Sequence, residues 1–104
     1  MSKTALFVKA TTKPGKRDEL RQLWERYLKP HMETNNEEEV CFYCYGTDDE
    51  NTICMFEFFS ESYDLQAAFQ SDWFKAYMES AAPILAGPPE VITTTPIWVK
   101  GANV

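Results

Sequence analysis

Hydrophobic positions along this chain alternate in some stretches and recur every three to four residues in others. Thr4 to Thr11 alternates, with Leu6, Val8 and Ala10 on one face and Ala5 and Phe7 on the other, which predicts a strand. Thr12 to Lys16 contains Pro14-Gly15 and breaks it with a turn. From about Lys16 to Met32 the period changes. Leu20, Leu23, Trp24, Tyr27, Leu28 and His31 fall on one helical face, while Arg17, Asp18, Arg21, Glu25 and Lys29 read as solvated. Pro30 lacks an N–H and crowds the preceding turn, so this helix is expected to kink or to end near Lys29.

Glu33 to Glu39 reads as a polar loop. Val40–Gly46 and Thr52–Phe59 alternate again, and the polar link Thr47–Asn51 between them predicts a hairpin. A short helix is expected over 60–70. Ser71 then offers an N-cap hydroxyl to a helix from about Asp72 to Leu85, with Phe74, Tyr77, Met78, Ala81 and Leu85 on one face. Gly87-Pro88-Pro89 stops it. Glu90 to Val99 predicts a fourth strand, and Pro96 within it suits only an edge or a change of direction.

The resulting order, β-α-β-β-α-β, is the ferredoxin-like α+β signature: one antiparallel sheet with helices on one face. The other face of such a sheet is normally polar. Here it is not. Val40, Phe42 and Cys44 oppose Cys41, Tyr43 and Tyr45 on the second strand. Cys54, Phe56 and Phe58 oppose Ile53, Met55, Glu57 and Phe59 on the third. Both faces are apolar, so both need cover, and a second copy of the sheet supplies it. The pattern therefore predicts a homodimer packed sheet to sheet.

Composition narrows the function. A length of 104 residues suits one domain, 1–104, large enough to fold without disulfides or metal. The aromatic share, 14%, calls for a dense core, an apolar pocket or a subunit interface. A net charge of −6 argues against nucleic acid and anionic membrane surfaces as partners. No apolar run approaches the ~18 residues of a membrane span, and the N-terminal apolar stretch is too short for a signal peptide. Three cysteines are too few for a disulfide framework, which points to reduced thiols and a cytoplasmic location.

Glu57 is the most unusual residue, a carboxylate in the greasiest segment. Desolvation raises a carboxylate's pKa and suits it to general base work. The structural alternative is an ion pair, and Lys9 on the neighbouring first strand is an available partner. His31, on the apolar stripe of the first helix, is a second candidate base or hydrogen-bonding group; as a plain helix-end histidine it would only answer the helix dipole. Trp24, Tyr27, Trp73 and Tyr77 are candidate walls for a flat aromatic ligand, although aromatics at helical spacing often only fill a core. Cys41 and Cys44 have C-x-x-C spacing, but on a strand they point to opposite faces and cannot act together. Glu37-Glu38-Glu39 with one histidine nearby reads as a solvated loop, so no metal site is expected.

The residues resemble the antibiotic biosynthesis monooxygenase family of dimeric α+β barrels, which includes quinol monooxygenase-like proteins. The resemblance covers Thr4 to about Trp98. It rests on Lys13-Pro14-Gly15-Lys16 after the first strand, on Glu57 two residues before Phe59, and on Ala67-Ala68 followed by Ser71-Asp72-Trp73-Phe74-Lys75-Ala76-Tyr77 and by Leu85. It implies oxygenation of a small hydrophobic aromatic or quinol-type molecule by molecular oxygen, without metal, flavin or haem. One departure stands out: relatives commonly carry a histidine where this chain has Ala68. The residue set of the family's haem-degrading branch is also not evident. The same fold and pocket would serve two other roles, a non-catalytic dimeric module that binds a small ligand, or a cofactor-free isomerase.

Overall fold

The computed structural model describes residues 2–104. Four strands, β1 (Thr4–Thr11), β2 (Glu38–Tyr45), β3 (Thr52–Phe59) and β4 (Glu90–Thr94), form one antiparallel sheet in the order β2-β3-β1-β4. The fold is the α+β ferredoxin-like arrangement that the alternation predicts. No helix is long and apolar enough to cross a membrane among the described residues.

The helical stretch after β1 is two helices rather than one, α1 (Arg17–Tyr27) and α2 (Lys29–Thr34). Leu28 is the joint, closing α1 through its N–H to Trp24 O at 2.9 Å and opening α2 by accepting from His31 N at 3.0 Å. Pro30 sits in the first turn of α2, where an N–H has no helical partner anyway. The proline thus starts a helix instead of ending one. The helix expected over 60–70 is shorter, α3 (Leu65–Phe69), because the Asp64 side chain caps it by accepting from Ala67 N at 3.0 Å. Ser71 caps α4 (Asp72–Ala81) as the sequence suggests, accepting from Phe74 N. Pro83 then sits in a single 3₁₀ turn, Ala82–Ile84. β4 ends at Thr94, two residues before Pro96, and pairs with β1 alone, so it is an edge strand.

Helices cover one face of the sheet, here the inner face. At its hairpin end, Ala10 and Ile53 of the sheet meet Leu20, Ala81 and Ile84 in the buried core. The register there is held from α1: Arg17 Nη1 donates to Gly46 O, Asp49 O and Thr52 O at 2.9–3.3 Å, and its guanidinium lies 4.0 Å from the Tyr45 ring. Gly46 is closely packed as well: a Cβ there would stand 3.2 Å from Asp49 O and from Thr52 Cβ, tighter than an ordinary contact.

The outer face carries an exposed apolar row. Phe42 pairs with Phe56, Phe56 with Phe7, and Phe7 with Ile92, so four large side chains cross all four strands in register. Phe42 and Ile92, at the two ends, are 61% and 59% exposed.

Leu20 is 1% exposed and joins α1 to the sheet at the core's centre. Leu20→Ala should therefore lower unfolding free energy by about 2–5 kcal/mol, measured by urea denaturation, with little loss expected from a solvated α1 position such as Gln22→Ala.

Candidate functional site

The buried cluster of Ala10, Leu20, Ile53, Ala81 and Ile84 sits at the hairpin end of the space between sheet and helices. Beyond it lies a cavity of about 500 Å³, floored by the inner face of β1, β2 and β3 and roofed by side chains of α1, α2 and α4. Its lining is mostly apolar: Leu6 and Val8 from β1, Met55 and Phe59 from β3, Leu28 and Met78 from the helices. Space of this size and character suits one small hydrophobic molecule.

Five of the six residues singled out in the sequence line this cavity: Glu57, His31, Trp24, Trp73 and Tyr77. His31 and Trp73 stack with ring centroids 4.3 Å apart and planes at 14°, and His31 is exposed, so the pair stands at the mouth. Trp24 stacks on Tyr43 at 3.9 Å deeper in. Burial pushes the Tyr77 hydroxyl up to about 12, and the Tyr43 hydroxyl upward as well, so both stay neutral donors. Tyr27 is the residue placed elsewhere. It lies between α1 and α4, where its hydroxyl accepts from Ser80 Oγ at 3.4 Å. Ala68 is on the cavity wall, so a methyl group stands where the family resemblance leads one to expect a histidine.

Glu57 is 7% exposed, on the inner face. Lys9 is not its partner. The register sets Leu6 opposite Glu57 on β1, while Lys9 stands opposite Cys54, three positions along and on the outer face. The group that meets Glu57 is another carboxyl, Glu38. Cys41, directly opposite Glu57 on β2, completes a cluster in which one oxygen or sulfur of each residue lies within 4.8 Å of the others.

Glu38 belongs to the segment that reads as a loop, and strict alternation would set it on the outer face with Val40 and Phe42. A β-bulge between Glu38 and Val40 turns it inward instead. The bulged Glu39 stays outside, tied to Lys3 Nζ at 3.0 Å. Beyond the bulge, Ser60 N donates to Glu37 O at 2.7 Å and holds the strand in place. The sequence did carry one sign. Counted back from the hairpin turn, the register sets residue 39 opposite Phe59 on the inner face, so an inward glutamate beside Glu57 was legible. The bulge decided which one.

Two carboxylates cannot both be ionised at this distance in an apolar site. Burial, then the Glu38 carboxyl beside it, pushes Glu57 up to about 9. Burial also raises Glu38, against a hydrogen bond from Glu57 that lowers it. Glu38 Oε2 is buried with no hydrogen-bond partner among the described residues, and a proton held between the two carboxyls gives the pair the donor it otherwise lacks. One proton thus relieves the pair, and Glu57, pushed up to about 9, is the member that holds it. Burial and both carboxyls push the Cys41 thiol up to about 12, so it remains a neutral, unreactive thiol. The three atoms lie close enough to meet at an ion, but metal binding needs all three deprotonated, and burial keeps protons on both the Cys41 thiol and Glu57.

Comparison with known proteins agrees with this architecture. A family model described as antibiotic biosynthesis monooxygenase matches residues 5–80. Among solved structures, the chain is similar to the NE2512 protein of Nitrosomonas europaea, whose function is unknown, at 25% identity and a TM-score of 0.77, covering 100% of this chain and 98% of that one. It is also similar to Rv0793 of Mycobacterium tuberculosis at 18% identity and 0.81, covering 96% and 100%. PA3566 of Pseudomonas aeruginosa matches at 12% identity and 0.78, covering 94% and 97%. No curated protein matches the sequence.

The raised Glu57 pKa fixes the sign of a pH effect. Unfolded, Glu57 titrates in the ordinary glutamate range; folded, it keeps its proton to about 9. The stabilisation is whole below the unfolded value and is lost as pH rises toward 9, by up to about 1 kcal/mol per pH unit. Chemical denaturation from pH 5 to 9 should show this decline in the wild type and a flatter profile in Glu57→Gln, which has no such proton to lose.

Proposed function

Because the chain belongs to the antibiotic biosynthesis monooxygenase family, we propose that it is a cofactor-independent monooxygenase acting on a small hydrophobic aromatic or quinol-type molecule. The observation that carries this reading is the apolar cavity with a proton-sharing carboxyl pair on its floor. A phenol, enol or activated methylene held there loses a proton to the pair. The resulting anion is electron-rich and reduces molecular oxygen directly. In the simplest case a methylene becomes a carbonyl: one oxygen atom stays on carbon, the other leaves as water, and the substrate supplies all four electrons. The walls keep water from the anion while it reacts. His31 and Trp73 at the mouth are placed to stack on a flat ligand as it enters, with His31 able to hydrogen-bond an oxygen at its edge.

One observation also favours a second reading. A pair that can take a proton at one carboxyl and return it from another suits a cofactor-free isomerase. Oxygen uptake with a panel of naphthoquinols and anthrones separates the two. The proposal expects substrate-dependent uptake and a product heavier than its substrate. No uptake with any of them, together with a product of unchanged mass, would put the isomerase in its place.

We propose further that the protein works as a homodimer through the outer face. The support is the in-register row Phe42, Phe56, Phe7 and Ile92, which leaves large apolar side chains open to solvent in the single chain. Sedimentation should find a dimer at micromolar concentration. Phe42→Glu, at an exposed position, should give a folded monomer; a wild-type monomer would refute the assembly.

A further inference from the structure

A carboxyl pair has two ends, and the fold treats them differently. Glu57 is on an interior strand, flanked by β1 and β2, with Leu6 and Cys41 directly opposite it. Glu38 is the first residue of an edge strand and reaches the cavity only because the ladder gives up its regular register there. A bulge beside a cavity is a device for aiming a side chain. It aims Glu38 at the carboxyl that already carries the proton. The Glu38 carboxyl hydrogen-bonds with Glu57, and a carboxylate has two oxygens, so one remains with which to accept.

We propose that Glu38 is the base of this site, receiving the ligand's proton, and that Glu57 is a positioning residue that holds the pair's one proton and orients Glu38 toward the cavity. This rests on the proton-abstraction half of the function proposed above and not on the oxygen half. The step is a simple transfer. The ligand's O–H or activated C–H bond breaks, its electron pair stays on the ligand, and a new O–H bond forms at Glu38, so the pair passes from one proton to two.

The surroundings support this division. Cys41 beside the pair stays neutral. Beyond β3, Tyr63 has its hydroxyl raised by burial and by Glu38, Glu57, Glu37 and Asp64, and His31, Tyr43 and Tyr77 line the same cavity. No lysine or arginine lines the cavity among the described residues. A doubly ionised pair thus has no cation to stabilise it, and the singly protonated form is the working one. Only its ionised member can accept a proton.

Proton abstraction can be read without oxygen. Anthrone, under argon in deuterium oxide, exchanges its methylene hydrogens when a base removes them, and proton NMR counts the loss. The wild type should exchange faster than buffer. Its rate should climb as Glu38 ionises and fall again as Glu57 loses its proton, near pH 9. Glu38→Gln should lower kcat for exchange by about 100-fold or more with KM little changed. Glu57→Gln, whose amide still donates to Glu38, should lose less than about tenfold and should lose the alkaline fall. Each variant is checked for a native circular dichroism spectrum. The proposal is overturned if Glu57→Gln abolishes exchange while Glu38→Gln keeps it, or if the wild-type rate does not exceed that of buffer. The wild-type pH profile needs no variant to fold, and a rate that rises without an alkaline fall also contradicts it. Failure of the oxygenase reading looks different: exchange persists under argon while oxygen uptake is absent.

Discussion

Two glutamates meeting on the floor of an apolar cavity are the constraint on which the rest of this structure turns. Repulsion between two ionised carboxyls in such a place would be severe, and one proton removes it. That proton must come from somewhere in the fold's design. Burial on an interior strand makes Glu57 the better holder, and the edge position of Glu38 makes it the better acceptor. The cavity adjoins the packed cluster at the hairpin end and shares Ala10, Leu20 and Ile53 with it as lining. The side chains that would fill the other end are held back as walls, stacked in pairs: Trp24 on Tyr43, and His31 on Trp73.

The sheet is used on both sides, and its two faces have different tasks. The inner face combines a packed core with an open pocket. The outer face carries a line of large apolar side chains across all four strands. Alternation along β2 and β3 assigns every second residue to each task. A one-residue slip of register would send Phe56 and Phe58 into the pocket and Glu57 to the outer face. This is why the hairpin end is fixed so thoroughly by Arg17, which donates to three backbone carbonyls at once.

Much of this was legible in the chain. The strands, the hairpin, the Ser71 cap and the two-faced sheet follow from periodicity and need no coordinates. Helix breaks were harder, because Pro30 can end one helix or begin the next, and only the backbone at Leu28 chooses. The site was half visible. Glu57 stood out as a charge in an apolar strand, and His31, Trp24, Trp73 and Tyr77, which line the same cavity, were named as candidates, all but Trp73 from helical stripes. Tyr27 shares that spacing but points along the α1–α4 contact, since a helix stripe is wide enough to serve two neighbours. Lys9 failed as a partner because parity put it on the other face. Glu38 was missed because a bulge breaks the alternation on which the reading relies, and no local pattern announces a bulge.

The central claim is that one proton is shared between Glu38 and Glu57. Site-resolved carbon NMR titration of the glutamate side-chain carboxyls tests it on the wild-type protein with no ligand and no variant. The account predicts that the Glu57 carboxyl stays protonated through neutrality and titrates near 9, with Glu38 responding to the same step. Titration of Glu57 in the ordinary carboxyl range would contradict it.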